Sequence, residues 1–343
     1  MSYVEDINTL LIPNISESIL VLDLFAGCGG LSLGFEAAGF KTMGYECVDS
    51  AADTYNKNLT GTCTCDTLSV GYEYHDTDCI DIVIGGPPCQ PFSRIGIQKG
   101  IDDARDGFPI FIDAIKRIRP KVFLFENVQN ILGRHKWYFD LILKELRGLG
   151  YIVEYRVLNA VDYGVPQNRE RVITVGHKSS FSFPKREAYK VTVGDAIGDT
   201  MQNSDDTNHF LTPEQERYIQ VYEAKSHCIN PRDLYADKPA RTLTCRNLAG
   251  ATSDMQRVKL PDGRRRRITQ REAARLQSFP DWFVFCGNET RQFTQIGNAV
   301  PPLLAYKLAL AVKETYSLIE RSEEEIFSIN HIHNGLFSDF YEN

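Results

Sequence analysis

Short apolar runs alternate with amphipathic stretches along the chain from about residue 19 to residue 176. Uninterrupted apolar runs predict strands that are buried on both faces, and apolar positions at helical spacing predict the helices that cover them. The predicted strands are residues 19–25, 42–45, 80–84, 122–125, 152–158 and 171–175, and the predicted helices are residues 31–38, 50–58, 108–118 and 137–149. This order indicates the α/β fold class, with a doubly wound and mostly parallel sheet.

After about residue 179 the pattern changes to polar, irregular sequence with frequent prolines. Proline removes a backbone donor and interrupts regular elements, so this change predicts a second and smaller domain. Helical spacing returns at residues 268–276 and 302–319. We therefore expect a first domain of residues 1–180, a smaller irregular domain of residues 181–290, and a return to the first domain with a tail at residues 291–343.

The composition is that of a folded protein. The chain has 343 residues, of which 43% are hydrophobic and 24% are charged, as in ordinary globular proteins. Its apolar runs are shorter than a membrane span requires, and its first residues lack the basic start of a secretory signal, so we expect a cytoplasmic protein. The nine cysteines lack the paired spacing of zinc ligands. They indicate reduced thiols and no metal site.

Positive charge is concentrated in one stretch, although the net charge of the chain is -7. The stretch from Arg241 to Arg275 holds ten Lys or Arg residues and three acids. A basic patch on an acidic chain can bind phosphates, and a solvated charged surface is the other interpretation. Charge alone leaves both interpretations open.

A glycine-rich turn follows the first predicted strand, at Phe25-Ala26-Gly27-Cys28-Gly29-Gly30. Glycines let the backbone approach a ligand closely, and an acidic residue after the second strand, here Glu46, can accept hydrogen bonds from ribose hydroxyls. The turn therefore indicates a nucleoside cofactor. A dinucleotide fingerprint would have a further glycine where this chain has Ser32, which weakens the match to a dehydrogenase.

Two reactive side chains follow other strands of the predicted sheet. Cys89 lies in the segment Gly86-Pro87-Pro88-Cys89 after the third predicted strand, and Glu126 follows the fourth. Residues just beyond the carboxyl ends of parallel strands line the ligand crevice of such sheets, so we expect the thiol and the carboxyl beside the cofactor. A thiol and a carboxyl at that place suggest covalent chemistry.

These segments and three later ones resemble, in order, the motifs of the cytosine-5 DNA methyltransferase family, over most of the chain from residue 20 to about residue 315. The motifs are residues 23–32, Pro87-Pro88-Cys89-Gln90, Glu126-Asn127-Val128, residues 167–171 (Gln-Asn-Arg-Glu-Arg), residues 275–280 (Arg-Leu-Gln-Ser-Phe-Pro) and residues 295–301 (Gln-Ile-Gly-Asn-Ala-Val-Pro). The resemblance implies a Rossmann-like methyltransferase fold, in which residues 181–290 form a target-recognition domain. It also implies S-adenosylmethionine as cofactor and double-stranded DNA as partner.

The resemblance assigns roles to matching residues. Cys89 is the expected nucleophile at carbon 6 of cytosine, Glu126 is expected to hold or protonate ring nitrogen 3, and Arg171 is expected to contact the base. The residues expected around S-adenosylmethionine are Phe25, Gly27, Gly29, Glu46, Asp66, Pro88, Asn298 and Val300. Cys47 stands where the family often has an aromatic residue against adenine, so Phe25 is expected to carry more of that contact.

The chemistry accounts for these residue types. Carbon 5 of cytosine is a poor nucleophile, and addition of a thiolate at carbon 6 places electron density on carbon 5. A base within a duplex is inaccessible, so the cytosine must be flipped out of the stack. Residues 93–105 read as a loop that closes over it. The expected DNA contacts are Ser93, Arg94, Gln98, Arg241, Thr242, Arg246, Arg264, Arg265, Arg266 and Arg267.

Three alternatives remain at this point. One branch of the family acts on transfer RNA, a relative without catalysis would bind DNA only, and a nicotinamide dehydrogenase would give Pro87-Pro88-Cys89 no role. Family members of this length without added regulatory domains resemble the partners of restriction enzymes. We therefore expect a monomer of the restriction-modification type, with a cognate restriction endonuclease that acts on the same site.

Overall fold

The computed structural model describes residues 2–88, 106–203, 209–225, 232–250 and 254–338, with side chains described as far as residue 324. Seven strands form one sheet in the order β3-β2-β1-β4-β5-β7-β6. They are β1 (Leu20–Leu24), β2 (Lys41–Glu46), β3 (Thr62–Cys65), β4 (Ile80–Gly85), β5 (Val122–Val128), β6 (Ile152–Asn159) and β7 (Glu170–His177). All neighbours pair in parallel except β7, which runs antiparallel to β5 and β6. The predicted mostly parallel sheet is confirmed, and β3 is a strand that the apolar pattern did not predict.

Helices cover both faces of this sheet. The helices of the described residues, including those of the irregular region, are α1 (Tyr3–Leu10), α2 (Gly30–Ala37), α3 (Asp49–Asn58), α4 (Phe108–Ile118), α5 (Lys136–Gly148), α6 (Val193–Ile197), α7 (Pro213–Lys225), α8 (Cys245–Ala249), α9 (Gln270–Leu276), α10 (Glu289–Asn298) and α11 (Pro302–Ser338). The six predicted helices correspond to α2, α3, α4, α5, α9 and α11. Helices α1, α6, α7, α8 and α10 were not predicted.

Successive residues of the central strands point to opposite faces, and both faces are buried. Val21 and Ile82 belong to a core with α2 and α11, whereas Leu22 and Val83 belong to a core with α4 and α5. This double burial explains why β1 and β4 are apolar at most positions, interrupted only by Asp23 and Asp81, rather than alternating between apolar and polar residues. Helix α5 ends at Gly148, and Gly150 follows its C-cap residue Leu149 with a φ of 93°, the left-handed conformation expected of a glycine just after a helix.

The irregular part of the chain adds a small hairpin and shares a core with the sheet region. Strands β8 (Arg257–Lys259) and β9 (Arg265–Arg267) pair antiparallel. A third apolar cluster includes Leu243 and Leu248 from this part together with Leu33 and Tyr55 from α2 and α3. The division into domains at residues 180 and 290 stays a prediction. Among the described residues, none of the helices combines the length and apolar character that a membrane crossing requires.

Candidate active site

The carboxyl ends of β1, β2, β3 and β4 meet at one edge of the sheet, because these strands run parallel. Glu46 is the last residue of β2, the glycine turn and Asp66 directly follow β1 and β3, and Pro88 lies three residues after the end of β4. Glu126 lies within the neighbouring β5, near the same end. The topology thus gathers the predicted cofactor residues of the first half of the chain at one place, as open α/β sheets do with their ligand sites.

The glycine turn adopts a backbone that favours glycine. Gly27 and Gly29 have φ values of 57° and 85°, and Phe25 has a φ of 61°, all in the left-handed region. A Cβ added to Gly29 would lie 2.8 Å from Cδ2 of Tyr55. The amide of Gly27 donates to Oε2 of Glu46 at 2.9 Å, so the turn is held against the end of β2.

Two carboxylates lie side by side next to the turn. Oε1 of Glu46 accepts from the amide of Val48 at 2.9 Å, and Oδ2 of Asp66 accepts from the Tyr72 hydroxyl at 2.8 Å. The backbone amide of Asp66 donates to the carbonyl of Glu46 at 3.0 Å. Carboxylate oxygens can accept more than one hydrogen bond, so both groups can also receive hydroxyl donors from a ligand.

A buried acid beneath the turn explains why Ser32 replaces a glycine. The Ser32 hydroxyl donates to Oδ2 of Asp23 at 2.7 Å, and Asp23 is only 1% exposed. Burial raises the pKa of Asp23 to about 7, and the nearby Glu46 charge adds to this effect. The sequence singled out Ser32 only as a mismatch, whereas the structure shows that its hydroxyl is the partner of a buried carboxyl.

The proline segment before position 89 is anchored on both sides. Nδ2 of Asn127 donates to the carbonyl of Pro87 at 3.0 Å, and the amide of Gly107 donates to the carbonyl of Pro88 at 2.9 Å. A Cβ added to Gly107 would lie 2.4 Å from Cδ of Pro88 and 3.0 Å from Cζ of Phe25. The structure therefore brings Phe25 and Pro88 together. The predicted nucleophile Cys89 and the predicted DNA contacts Ser93, Arg94 and Gln98 lie outside the described residues.

Glu126 and Arg171 form an ion pair at this edge. Nε of Arg171 lies 2.6 Å from Oε1 of Glu126, and each side chain is only 12% exposed. The antiparallel pairing of β5 with β7 produces this contact, because it sets Val128 opposite Arg171 and Glu126 opposite Ile173. The two predicted catalytic residues thus meet, although they are far apart in the chain.

Residues 298–300, at the end of α10, lie next to the glycine turn although they are distant from it in the sequence. Asn298 is exposed and ends α10, and Val300 is buried. A Cβ added to Gly30 would lie 2.5 Å from the carbonyl oxygen of Val300. The glycine at position 30 therefore allows this segment to lie directly against the glycine turn.

The basic stretch does not present all of its arginines to solvent. Arg266 is 2% exposed, pairs with Oε1 of Glu272 at 2.7 Å, and donates to the carbonyls of Thr200 and Met201. Arg266 does not offer its guanidinium to solvent as the predicted DNA contact requires, because the guanidinium donates its hydrogen bonds inside the protein. Arg257 is buried in a similar way against Asp233 and Glu223.

The other three arginines of the four-residue run differ from Arg266 and from each other. Arg265 contacts Asp233, Glu223 and Glu216 and is 12% exposed, so its charge is also largely neutralised and it is a poor candidate for phosphate contact. Arg264 is 57% exposed, pairs with Asp262 and lies over the ring of Phe210. Arg267 is 22% exposed and lies 3.9 Å from Glu289.

The remaining predicted contacts lie around α8. Arg246 is exposed on this helix. Arg241 is 40% exposed and pairs with Asp254 at 3.0 Å, and the hydroxyl of Thr242 donates to the carbonyl of Asn168 at 2.6 Å. Of the predicted second-domain contacts, Arg246 and Arg264 have the most accessible positions.

Comparisons with known proteins identify the family of the chain. A family model of C-5 cytosine-specific DNA methylases matches residues 19–314. The chain is 56% identical over 304 residues to the Type II methyltransferase M.AplI of Arthrospira platensis, and the match covers 88% of each protein. It is 36% identical over 334 residues to the Type II methyltransferase M1.HphI of Haemophilus parahaemolyticus, covering 86% of this chain and 87% of that protein.

Solved structures share the fold. A structure described as a DNA modification methyltransferase encoded within an E. coli prophage has a TM-score of 0.66 and 26% identity, covering 87% of this chain and 99% of that one. A DNMT2 mutant of Spodoptera frugiperda has a TM-score of 0.65 at 16% identity, covering 84% of this chain and 98% of that one, which is a likeness of fold alone. With the family model matching nearly the whole of the sheet and the irregular region, the chain belongs to the C-5 cytosine-specific DNA methylases and is an enzyme that methylates cytosine in DNA at carbon 5.

Proposed function

We propose that the enzyme is the methyltransferase of a Type II restriction-modification system, and that it modifies a flipped-out cytosine within a specific duplex sequence. The names of the relatives in A. platensis and H. parahaemolyticus support this class. In this proposal the enzyme acts as a cytoplasmic monomer and protects its sites from a cognate restriction endonuclease. Residues 1–180 with 291–343 carry catalysis, and residues 181–290 recognise the target.

The Glu126–Arg171 ion pair is the observation that carries the proposal. Its two side chains are mostly buried at the edge where the glycine turn lies. Asn127, which follows Glu126, holds the carbonyl of Pro87 at 3.0 Å. Cys89 is two residues beyond Pro87 in the chain. Glu126 and the anchor of the Cys89 segment are thus neighbours on one strand.

In the proposed mechanism, the thiolate of Cys89 adds to carbon 6 and forms a carbon–sulfur bond, so the ring electrons become available at carbon 5. Glu126 holds or supplies a proton at ring nitrogen 3 as charge develops there. Arg171 keeps the Glu126 carboxyl in place through the 2.6 Å contact and faces the base. After methylation, a base such as water takes the proton from carbon 5, the electron pair of that bond forms the double bond between carbons 5 and 6, and the carbon–sulfur bond breaks to release the Cys89 thiolate. The proton at ring nitrogen 3 returns to Glu126 in the same phase.

The family implies S-adenosylmethionine as methyl donor, and the residues at the edge fit it. The donor supplies an electrophilic methyl group on a sulfonium when it is bound. Gly27 and Gly29 give a turn with backbone amides near the ligand space, Glu46 and Asp66 offer acceptors for hydroxyls, and Phe25 with Pro88 forms an apolar wall. Asn298 and Val300 close the site from the opposite side, against Gly30.

Methyl transfer by a Cys89→Ala variant tests the nucleophile. We expect no detectable transfer from labelled donor to duplex DNA, with donor binding close to that of the wild type. Cys79→Ala is the matched control, because Cys79 is an exposed thiol just before β4, at the opposite end of the sheet. Full activity of Cys89→Ala would overturn the assignment.

Two further experiments identify the intermediate and the substrate. Duplex DNA with 5-fluorocytosine at the target should give an adduct that resists denaturation, because the fluorine cannot leave as the proton does. Transfer RNA under the same conditions should accept no methyl groups. Methylation of transfer RNA without methylation of DNA would contradict the proposed substrate.

A further inference from the structure

One buried arginine joins three separate segments of the chain. Arg169, just before β7, is 1% exposed. Its Nη1 donates to the carbonyl of Leu243 at 2.8 Å, and its Nη2 donates to the carbonyls of Gly297 at 3.2 Å and Ala299 at 2.9 Å. The guanidinium therefore links the catalytic sheet, the start of α8 and the segment that lies against the cofactor turn.

Arg169 differs from the other buried arginines in its partners. Arg257 and Arg266 each pair with a carboxylate, whereas the hydrogen-bond acceptors of Arg169 in the described part of the chain are carbonyl oxygens. Burial lowers the pKa of Arg169 well below its usual value, and the nearby Arg171 charge adds to this effect. Burying a cation costs desolvation free energy, so packing alone does not account for an arginine at this position.

The three segments also touch through their backbones. A Cβ added to Gly297 would lie 2.3 Å from the amide nitrogen of Cys245, and one added to Gly30 would lie 2.5 Å from the carbonyl oxygen of Val300. A continuous path of tight contacts therefore runs from the cofactor turn through residues 297–300 to the first residue of α8. Closely packed backbones have little room to move independently of each other.

Helix α8 is firmly held at the other end of this path. Its N-cap residue Thr244 accepts from the amide of Asn247, and Nδ2 of Asn247 donates to the carbonyl of Thr242 at 2.9 Å. The helix exposes Arg246, which is one of the DNA contacts predicted from the sequence and lies in the region that the proposed function assigns to target recognition. Arg169 thus connects the place where the donor is expected to bind with the place where DNA is expected to bind.

We propose that Arg169 is a positioning residue that couples donor binding to DNA binding. It holds α8 and residues 297–300 in a fixed position relative to each other. Donor binding that orders residues 297–300 therefore favours the position of α8 that DNA binding needs, and DNA binding at α8 favours the donor site in the same way. The effect is reciprocal, because coupling between two binding sites changes both affinities by the same factor. This inference rests on the proposed function.

The test compares two conservative variants, Arg169→Lys and Arg266→Lys. Both residues are buried and hold backbone carbonyls, but the contacts of Arg266 lie at Thr200, Met201 and Asn203, away from residues 297–300. The dissociation constant of S-adenosylhomocysteine is measured by calorimetry for each folded variant, with and without a duplex that the wild type methylates. We expect the duplex to tighten binding by about fivefold or more in the wild type and in Arg266→Lys, and by less than twofold in Arg169→Lys.

Three results would overturn the coupling: no tightening in the wild type, full tightening in Arg169→Lys, or equal loss in Arg266→Lys. Absence of duplex methylation by the wild type would instead contradict the proposed function, so the two failures are distinguishable. Hydrogen exchange on the wild type covers the case in which Arg169→Lys does not fold. S-adenosylhomocysteine should slow the exchange of amides in α8 and leave α7 unchanged, and unchanged exchange in α8 would also overturn the inference.

Discussion

The carboxyl edge of the sheet and the basic stretch of residues 241–275 show two different relations between sequence and position. At the edge, Glu46 and Glu126 lie where the predicted strands put them, and Glu126 meets Arg171 at 2.6 Å. In the basic stretch, Arg257 and Arg266 point into the protein, at 1% and 2% exposure. Parallel topology fixes where a strand end lies, whereas a count of charges says nothing about which way each side chain points.

The first prediction concerns the edge and has the largest expected effect. Glu126→Gln keeps the shape of the side chain and removes its ability to share a proton with ring nitrogen 3. We expect the rate of methyl transfer in a single turnover to fall by about 10²-fold to 10⁴-fold, the usual contribution of a positioned acid or base. Arg246→Lys, which changes an exposed side chain on α8 and leaves the carboxyl in place, should keep a rate of methyl transfer near that of the wild type once DNA is saturating. A decrease of less than threefold in Glu126→Gln would contradict the assigned role.

The second prediction is that Arg266, one of the buried arginines, contributes to stability and not to DNA binding. Arg266→Met leaves Glu272 without its cationic partner at a position that is 1% exposed. Breaking a buried pair in this way typically costs about 3 to 5 kcal/mol, so urea denaturation should show a loss of unfolding free energy of that size. The fraction that stays folded should bind duplex DNA with unchanged salt dependence. A reduced salt dependence would mean that Arg266 faces phosphate after all.

The third prediction concerns Asp23, the buried acid beneath the glycine turn. Because burial raises the pKa of Asp23 to about 7, the folded state favours its protonated form, and stability is lost as pH rises from the unfolded pKa to the folded one. Asp23→Asn keeps an acceptor for Ser32 and removes this titration. Between about pH 5 and about pH 8, the wild type should lose at most about 3 kcal/mol relative to the variant.

Urea denaturation of both proteins at the two pH values measures this difference. A difference in unfolding free energy that does not change with pH would show that Asp23 does not titrate in this range. Ser32→Ala provides a control, because it removes the 2.7 Å hydrogen bond to Asp23 and leaves the carboxyl able to titrate.

Much of the fold and part of the site were predictable, for physical reasons that these residues illustrate. Strands buried on both faces, such as β1 and β4, are recognisable in the sequence because most of their residues are apolar. The exposed edge strand β3, Thr62–Cys65, has only Cys63 buried and gave no such signal. The capping box from Thr269 to Glu272 is readable from sequence as the start of α9. The pairing of Glu272 with Arg266 depends on the fold of the hairpin, and no local pattern encodes it.

The prediction with the smallest expected effect concerns Arg246, an accessible arginine in the basic stretch of residues 241–275. Arg246→Ala should leave the unfolding free energy nearly unchanged, since the side chain is exposed on α8. If the guanidinium contacts a guanine, the variant should bind the target duplex about 1 to 3 kcal/mol more weakly. If it contacts a phosphate, the variant should bind all duplexes more weakly by the same amount, and the slope of log affinity against log salt concentration should be lower by about one. Arg264→Ala is the matched control, because Arg264 is 57% exposed but already paired with Asp262, and its loss should affect binding less. Equal, negligible changes in both variants would mean that accessible arginines of residues 241–275 are no better a guide to the DNA interface than the buried ones.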